Sequence, residues 1–159
     1  MPAKRTRAQD AIALLKADHD KVRGLLSQLE KSTERSADRR QSLLSRIEME
    51  IKAHTTIEEE IFYPAYRDAV RSKDDRELYQ EALEEHHVVD LVLPEIKGTN
   101  PASEVFGAKA KVLKELIEHH AEEEEKEMFK RARRVMDTAQ LRELGQRMAQ
   151  RKKQLAPGR

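Results

Sequence analysis

The sequence predicts an all-α chain, an up-down antiparallel four-helix bundle with a short fifth helix at its C-terminal end. Three observations lead there. Apolar residues recur at helical spacing through four long segments joined by short polar links. Five glycines and five prolines among 159 residues, with 38% charged, favour helix over a turn-rich β architecture. All six histidines fall in four places, each near the middle of one predicted helix.

The first helix is expected over residues 7–31, where Ile12, Leu15, Val22, Leu25, Leu26 and Leu29 form an apolar stripe. The polar stretch 32–38 is a turn. The second helix covers 38–71 on Leu43, Leu44, Ile47, Ile51, Ile57, Ile61 and Phe62, with Pro64 expected to kink or disturb it. Residues 72–75 supply the next turn and an N-cap for the third helix, 75–97, which carries Pro94 near its end. Gly98-Thr99-Asn100-Pro101 is the clearest loop, and Ser103 a further candidate cap. The fourth helix runs over 101–136 and the fifth over 137–153. The bundle is thus assigned to residues 7–136, the appended helix to 137–154 and a tail to 155–159. The fifth helix caps the bundle or forms a dimer contact; its sequence leaves both open.

Composition excludes several function classes. Thirty-one Lys and Arg stand against 30 Asp and Glu, so no global field draws the chain to nucleic acid. The basic runs 4–7 and 151–153 are read as solvated ends. The absence of cysteine removes disulfides, thiolate metal sites and cysteine nucleophiles. No window nears the ~18 apolar residues that cross a bilayer, and no apolar stretch follows the first residues as in a signal peptide. A cytoplasmic location is the expectation.

The histidines carry the functional reading. An antiparallel hairpin brings together residues equidistant from its turn. His19 and His54 are centred near Ser36, Glu58 and His86 on Ser72, and His86 and His120 on Ser103. Every one of these centres lies in a predicted turn or at its edge, so one imidazole from each helix should share a layer. His54 and Glu58 are four apart and share a helix face; His120 has Glu124 at four and Glu125 at five. Imidazoles and carboxylates on facing helices build dimetal sites in bundles. Such a layer suits two cations better than one structural zinc, which closes with four ligands. Taken singly, each histidine reads as an ordinary surface or hydrogen-bonded residue and each glutamate run as a solvated face. Their coincidence at one height is what points to metal. The chain also repeats itself: Asp18-His19 and Glu85-His86 open two similar hairpins, and His54 to Phe62 resembles His120 to Phe129.

On Asp18-His19-Asp20, His54-x-x-x-Glu58-Glu59-Glu60-Ile61-Phe62-Tyr63-Pro64, Glu85-His86-His87 and His119-His120-x-x-x-x-Glu125-x-x-Met128-Phe129, the chain resembles the hemerythrin-like, or HHE cation-binding, family. The resemblance spans residues 8–134; the four pieces carry it together and in this order. It implies two iron ions bridged by oxo or hydroxo. By position, it implies His19 and His54 as terminal ligands, Glu58 and Glu125 as bridging carboxylates, and His86 and His120 completing the second metal. Glu125 is preferred to Glu124 because it precedes Phe129 by four, as Glu58 precedes Phe62, and because the family often has an extra residue there. Oxygen-carrying relatives place a second histidine where this chain has Asp90. That departure shifts the implied role from simple oxygen carriage toward sensing of oxygen or iron, or an enzyme acting on peroxide or nitric oxide. The implied partner is one such small ligand. Tyr63 and Tyr66 are read as core or rim residues.

Overall fold

The structure is a computed structural model that describes residues 9–156. The expected helix start at Arg7, the basic run 4–7 and the tail residues 157–159 lie outside them. Among the described residues there is no strand.

Helix α1, Ala11–Lys31, starts on Asp10, whose carboxylate accepts from the Ala13 amide at 2.8 Å. Helix α2, Ala37–Ile57, continues through a wide π-type turn, Glu58–Phe62, into α3, Tyr63–Ala69. These three segments form the expected second rod. Pro64 sits directly after the wide turn, where the Tyr63 amide already reaches back to the Glu58 carbonyl, so its missing N–H falls where the regular ladder is broken. Helix α4, Lys73–Lys97, is capped by Ser72 and contains Pro94. Helix α5, Glu104–Glu123, is capped by Ser103, passes through a second wide turn, Glu124–Met128, and continues as α6, Phe129–Val135. Helix α7, Thr138–Leu155, opens on a reciprocal cap between Asp137 and Gln140. Each such cap contributes about 1 kcal/mol.

The rods close a square in which α1 packs on α2 and α5, and α4 on α2 and α5. Two apolar clusters fill it. One lies toward the first and third turns and includes Leu26, Leu44, Ile47, Ile96, Phe106 and Leu113. The other lies toward the opposite end and includes Ile12, Leu15, Ile57, Phe62, Tyr66 and Phe129. The histidine layer separates them. Arg40 ties two turns together: it donates to the Ser32 and Pro101 carbonyls at 3.1 and 2.7 Å and lies over the Phe106 ring.

Helix α7 docks on its own chain. Leu141, Leu144 and Met148 are buried in the second cluster, each contributing about 1.5–3 kcal/mol. Gly145 permits the close approach, since a Cβ there would stand 2.3 Å from the Gln9 carbonyl oxygen and 2.9 Å from the Ala11 nitrogen. No described helix is long and apolar enough to cross a membrane.

Candidate metal centre

The centre is built by helical spacing and two exceptions to it. His19 on α1, His54 on α2, His86 on α4 and His120 on α5 are all buried and meet in one layer. The His19 and His54 rings lie 4.9 Å apart, and His86 and His120 4.8 Å. Both wide turns begin at a glutamate four residues after a histidine, Glu58 and Glu124. Such turns are frequent at functional sites.

Ligand-capable atoms gather in two groups, His19, His54 and Glu124 in one and Glu58, His86 and His120 in the other, each within 4.8 Å. Each group takes its imidazoles from one hairpin and its carboxylate from the other. Each carboxylate also touches the group across from it. Glu58 Oε1 is 3.2 Å from His86 Nε2 and 3.0 Å from His54 Nε2. Glu124 Oε1 is 3.1 Å from His19 Nε2 and 3.2 Å from His120 Nε2. Each carboxylate thus lies within reach of both groups of imidazoles.

On the last rod the structure places Glu124, rather than the expected Glu125, within the inner set. Glu124 is 2% exposed and points inward, whereas Glu125 is 25% exposed and points out. One further step along the helix turns a side chain by ~100°, so only the residue four after His120 shares its face. Glu125 has another place: its carboxylate accepts from His19 Nδ1 at 3.1 Å and from Arg23 at 2.8 Å. The other five expected residues, His19, His54, Glu58, His86 and His120, face the shared pocket. His87 and Asp90 are exposed, and His119, 68% exposed, meets Glu85 and Glu123 at the surface.

An outer ring of carboxylates orients the imidazoles. Asp18 accepts from His54 Nδ1 at 2.9 Å and Glu85 from His120 Nδ1 at 2.8 Å. Glu125 serves His19, and Glu59 approaches His86 Nδ1 at 3.7 Å, beyond hydrogen bonding. The acids follow the internal repeat, Asp18 matching Glu85 and Glu59 matching Glu125. A carboxylate on Nδ1 fixes the neutral tautomer whose Nε2 lone pair faces inward.

Tyr63, read from the sequence as a core or rim residue, is fully buried and stands beside the inner set. Its hydroxyl donates to Glu124 Oε2 at 2.9 Å and lies 3.2 Å from His86 Nε2 and 3.4 Å from His120 Nε2. On a regular helix a residue five after Glu58 points away; the wide turn brings it back. Burial, then the charges of Glu124 and Glu58, push its pKa well above the ordinary tyrosine value, so it remains a donor.

The residues fit a metal pair. Both Glu58 oxygens and His54 Nε2 are buried without a hydrogen-bond partner, although His54 and Glu58 approach closely. Their contact lacks hydrogen-bonding alignment. Leaving such atoms unsatisfied costs about 1–3 kcal/mol each. Burial pulls the His54 imidazolium down, but the Glu58 charge and the Asp18 hydrogen bond outweigh it and raise the pKa to about 10. His120 is likewise raised, with burial opposing and Glu124 dominating the rise. Glu58 is held well below its usual value: burial raises it, and His54 overcomes that. Protons on the imidazoles thus supply positive charge that two buried carboxylates demand, and metal cations supply it better.

Beside the histidines lies a cavity of about 40 Å³, with Val22, Ile51, Val89, Ile117 and Ala121 among its apolar walls. It has room for a few water-sized groups.

A four-helix bundle enclosing facing His and Glu sets defines a cation-binding bundle domain. Residues 10–132 match the hemerythrin HHE cation-binding domain, and the chain belongs to that family. A crystal structure of an HHE cation-binding domain-containing protein from Mycobacterium kansasii is similar with a TM-score of 0.80, covering 92% of this chain and 87% of that one at 28% identity. A DNA nickase of Nostoc sp. is 28% identical over 127 residues, 80% of this chain and 34% of the nickase, so the chain spans about a third of that relative's length.

Proposed function

We propose that the domain holds two iron ions on His19, His54, Glu58, His86, His120 and Glu124 and binds a small ligand such as dioxygen beside them, as a sensor or binder. The observation that carries this reading is the crossed arrangement, in which each group's imidazoles come from one hairpin and its carboxylate from the other, with each carboxylate reaching both groups. Two bridging acids, four imidazoles and a tyrosine hydroxyl make a mixed oxygen and nitrogen donor set that suits iron. Iron bound there supplies a redox-active Lewis acid. The outer acids hold each imidazole in register. The apolar cavity, about 40 Å³, admits a diatomic and disfavours larger polar molecules.

Metal analysis of the purified protein is expected to give two irons per chain, with the absorption of an oxygen-bridged pair. Reduction under argon followed by oxygen titration should give a reversible optical change saturating at one ligand per two irons. An iron-loaded protein with no reversible change would end the oxygen-binding reading.

A second reading, decomposition of peroxide, is favoured by Tyr63, a proton donor whose hydroxyl oxygen lies 3.2–3.4 Å from two Nε2 atoms. Peroxide consumption that is unchanged in a His54→Ala, Glu58→Ala protein would exclude it.

A further inference from the structure

The two halves of the centre share their inner residues by symmetry but differ behind them. Asp18 and Glu125, which orient His54 and His19, are each held by a permanent cation. The Lys152 ammonium sits on Asp18 Oδ1, leaving Oδ2 for His54 Nδ1. The Arg23 guanidinium donates to Glu125. The matching acids of the other half lack this. Glu85 meets the imidazoles of His120 and His119 and the carboxylate of Glu123, and Glu59 approaches His86; among the described residues neither acid is paired with a Lys or Arg. Arg23 lies on α1, within the span that the family shares. Lys152 lies on α7, beyond residue 132 where that span ends.

We propose that Lys152 is a positioning residue of the metal centre, through which the appended helix makes the His19–His54 half the more electropositive of the two. The inference rests on the reading of His54 as a ligand. The reasoning follows the chain of contacts. A carboxylate free to share the imidazole proton makes that imidazole a stronger donor to metal. An ammonium on the same carboxylate draws its charge away and holds Oδ2 in line with Nδ1. His54 then donates more weakly, and the half it serves favours the lower oxidation state. The added positive charge acts in the same direction. Lys152 is 28% exposed, and Asp18 only 8%, so solvent screens the pair incompletely. The apolar residues of α7 explain why the helix docks; they do not explain why its lysine reaches this acid.

The test is a redox titration of the iron-loaded full chain with Lys152→Met and Lys152→Arg, followed by absorption, with circular dichroism of each. Lys152→Gln serves if the methionine variant misfolds. Two separate one-electron steps are expected in the parent protein. The neutral variant should lower the higher midpoint by the equivalent of about tenfold in the ferric-to-ferrous ratio, ~59 mV for one electron, with iron content unchanged. Lys152→Arg should restore it. A neutral variant with unshifted midpoints and full iron overturns the proposal, as does an arginine variant that fails to restore them. A His54→Ala protein that still holds two irons overturns the ligand assignment itself, and the role of Lys152 with it. A purely structural contribution from the lysine would change the melting temperature and leave the potential in place.

Discussion

The Tyr63 hydroxyl donates to Glu124 Oε2 at 2.9 Å, joining the start of α3 to the wide turn of the fourth rod. Both groups are almost wholly buried, so the bond has no water to replace it. Tyr63→Phe keeps the ring and its stacking on His86 but leaves a buried carboxylate oxygen short of a donor. The metal-free protein is expected to lose about 1–3 kcal/mol. Metal on Glu124 should recover part of that loss. Urea unfolding in chelator and in metal checks both halves; equal stability in chelator would show that the hydroxyl does not serve Glu124.

Adjacent glutamates should behave differently. Glu124→Gln removes a carboxylate that reaches imidazoles of both groups, and iron content is expected to fall from two per chain to one or none. Glu125→Gln leaves the inner set whole and loosens only the orientation of His19. Its iron affinity should fall about 10–100-fold with two sites retained. Metal analysis with chelator competition separates them. The opposite ranking would reinstate Glu125 as the inner acid.

That pair also shows how far the sequence reaches. The bundle was legible because apolar periodicity, caps at Ser72 and Ser103 and the Gly98–Pro101 loop are local signals. The common height of His19, His54, His86 and His120 followed from turn positions alone. Matching Phe62 to Phe129 aligned residues eight and nine after their histidines and so moved the last acid by one, whereas the π turns start four after the histidine on both rods. The turns themselves leave no mark in residue type. The first of them carried Tyr63 inward. Asp18 and Glu85 had a signal, since each precedes a histidine in the repeat, but an acid's partner lies on another rod and cannot be read along the chain. Lys152 lies 134 residues from Asp18 and gave no signal at all.

Metal-free protein should have a defined window of pH stability. His54 is raised from 6.5 to about 10, and His120 moves the same way. The stabilisation from His54 is complete below pH 6.5 and is lost as pH rises through about 10, and that from His120 is lost as pH rises through its own raised folded value. Glu58 is depressed below 4.5, so its contribution is present above that pH and is lost as pH falls through its lowered folded value. The metal-free protein is therefore expected to be most stable between about pH 4.5 and 6.5. Metal replaces the imidazole protons, so the loaded protein should hold its stability into mildly alkaline solution. Melting temperatures against pH, with and without metal, test this; parallel profiles for the two forms would contradict it.

Gly145→Ala should loosen α7 from the bundle. Its Cβ would meet backbone on three sides, the Gln9 oxygen at 2.3 Å, the Asp10 carbonyl carbon at 2.8 Å and the Ala11 nitrogen at 2.9 Å. No flexible side-chain end is available to give way, so α7 or the start of α1 must shift. Overpacking of this kind costs about 1–3 kcal/mol, against an opposing gain of up to ~1 kcal/mol for alanine over glycine within a helix. A net loss is expected, read as a lower melting temperature and faster proteolysis within α7. Lys152 lies two turns further along the same helix, so a shift also draws its ammonium from Asp18. The higher iron midpoint should then fall in the direction expected for Lys152→Met. A variant that melts lower while keeping its midpoint would mean that the lysine follows Asp18 independently of how tightly its helix is seated.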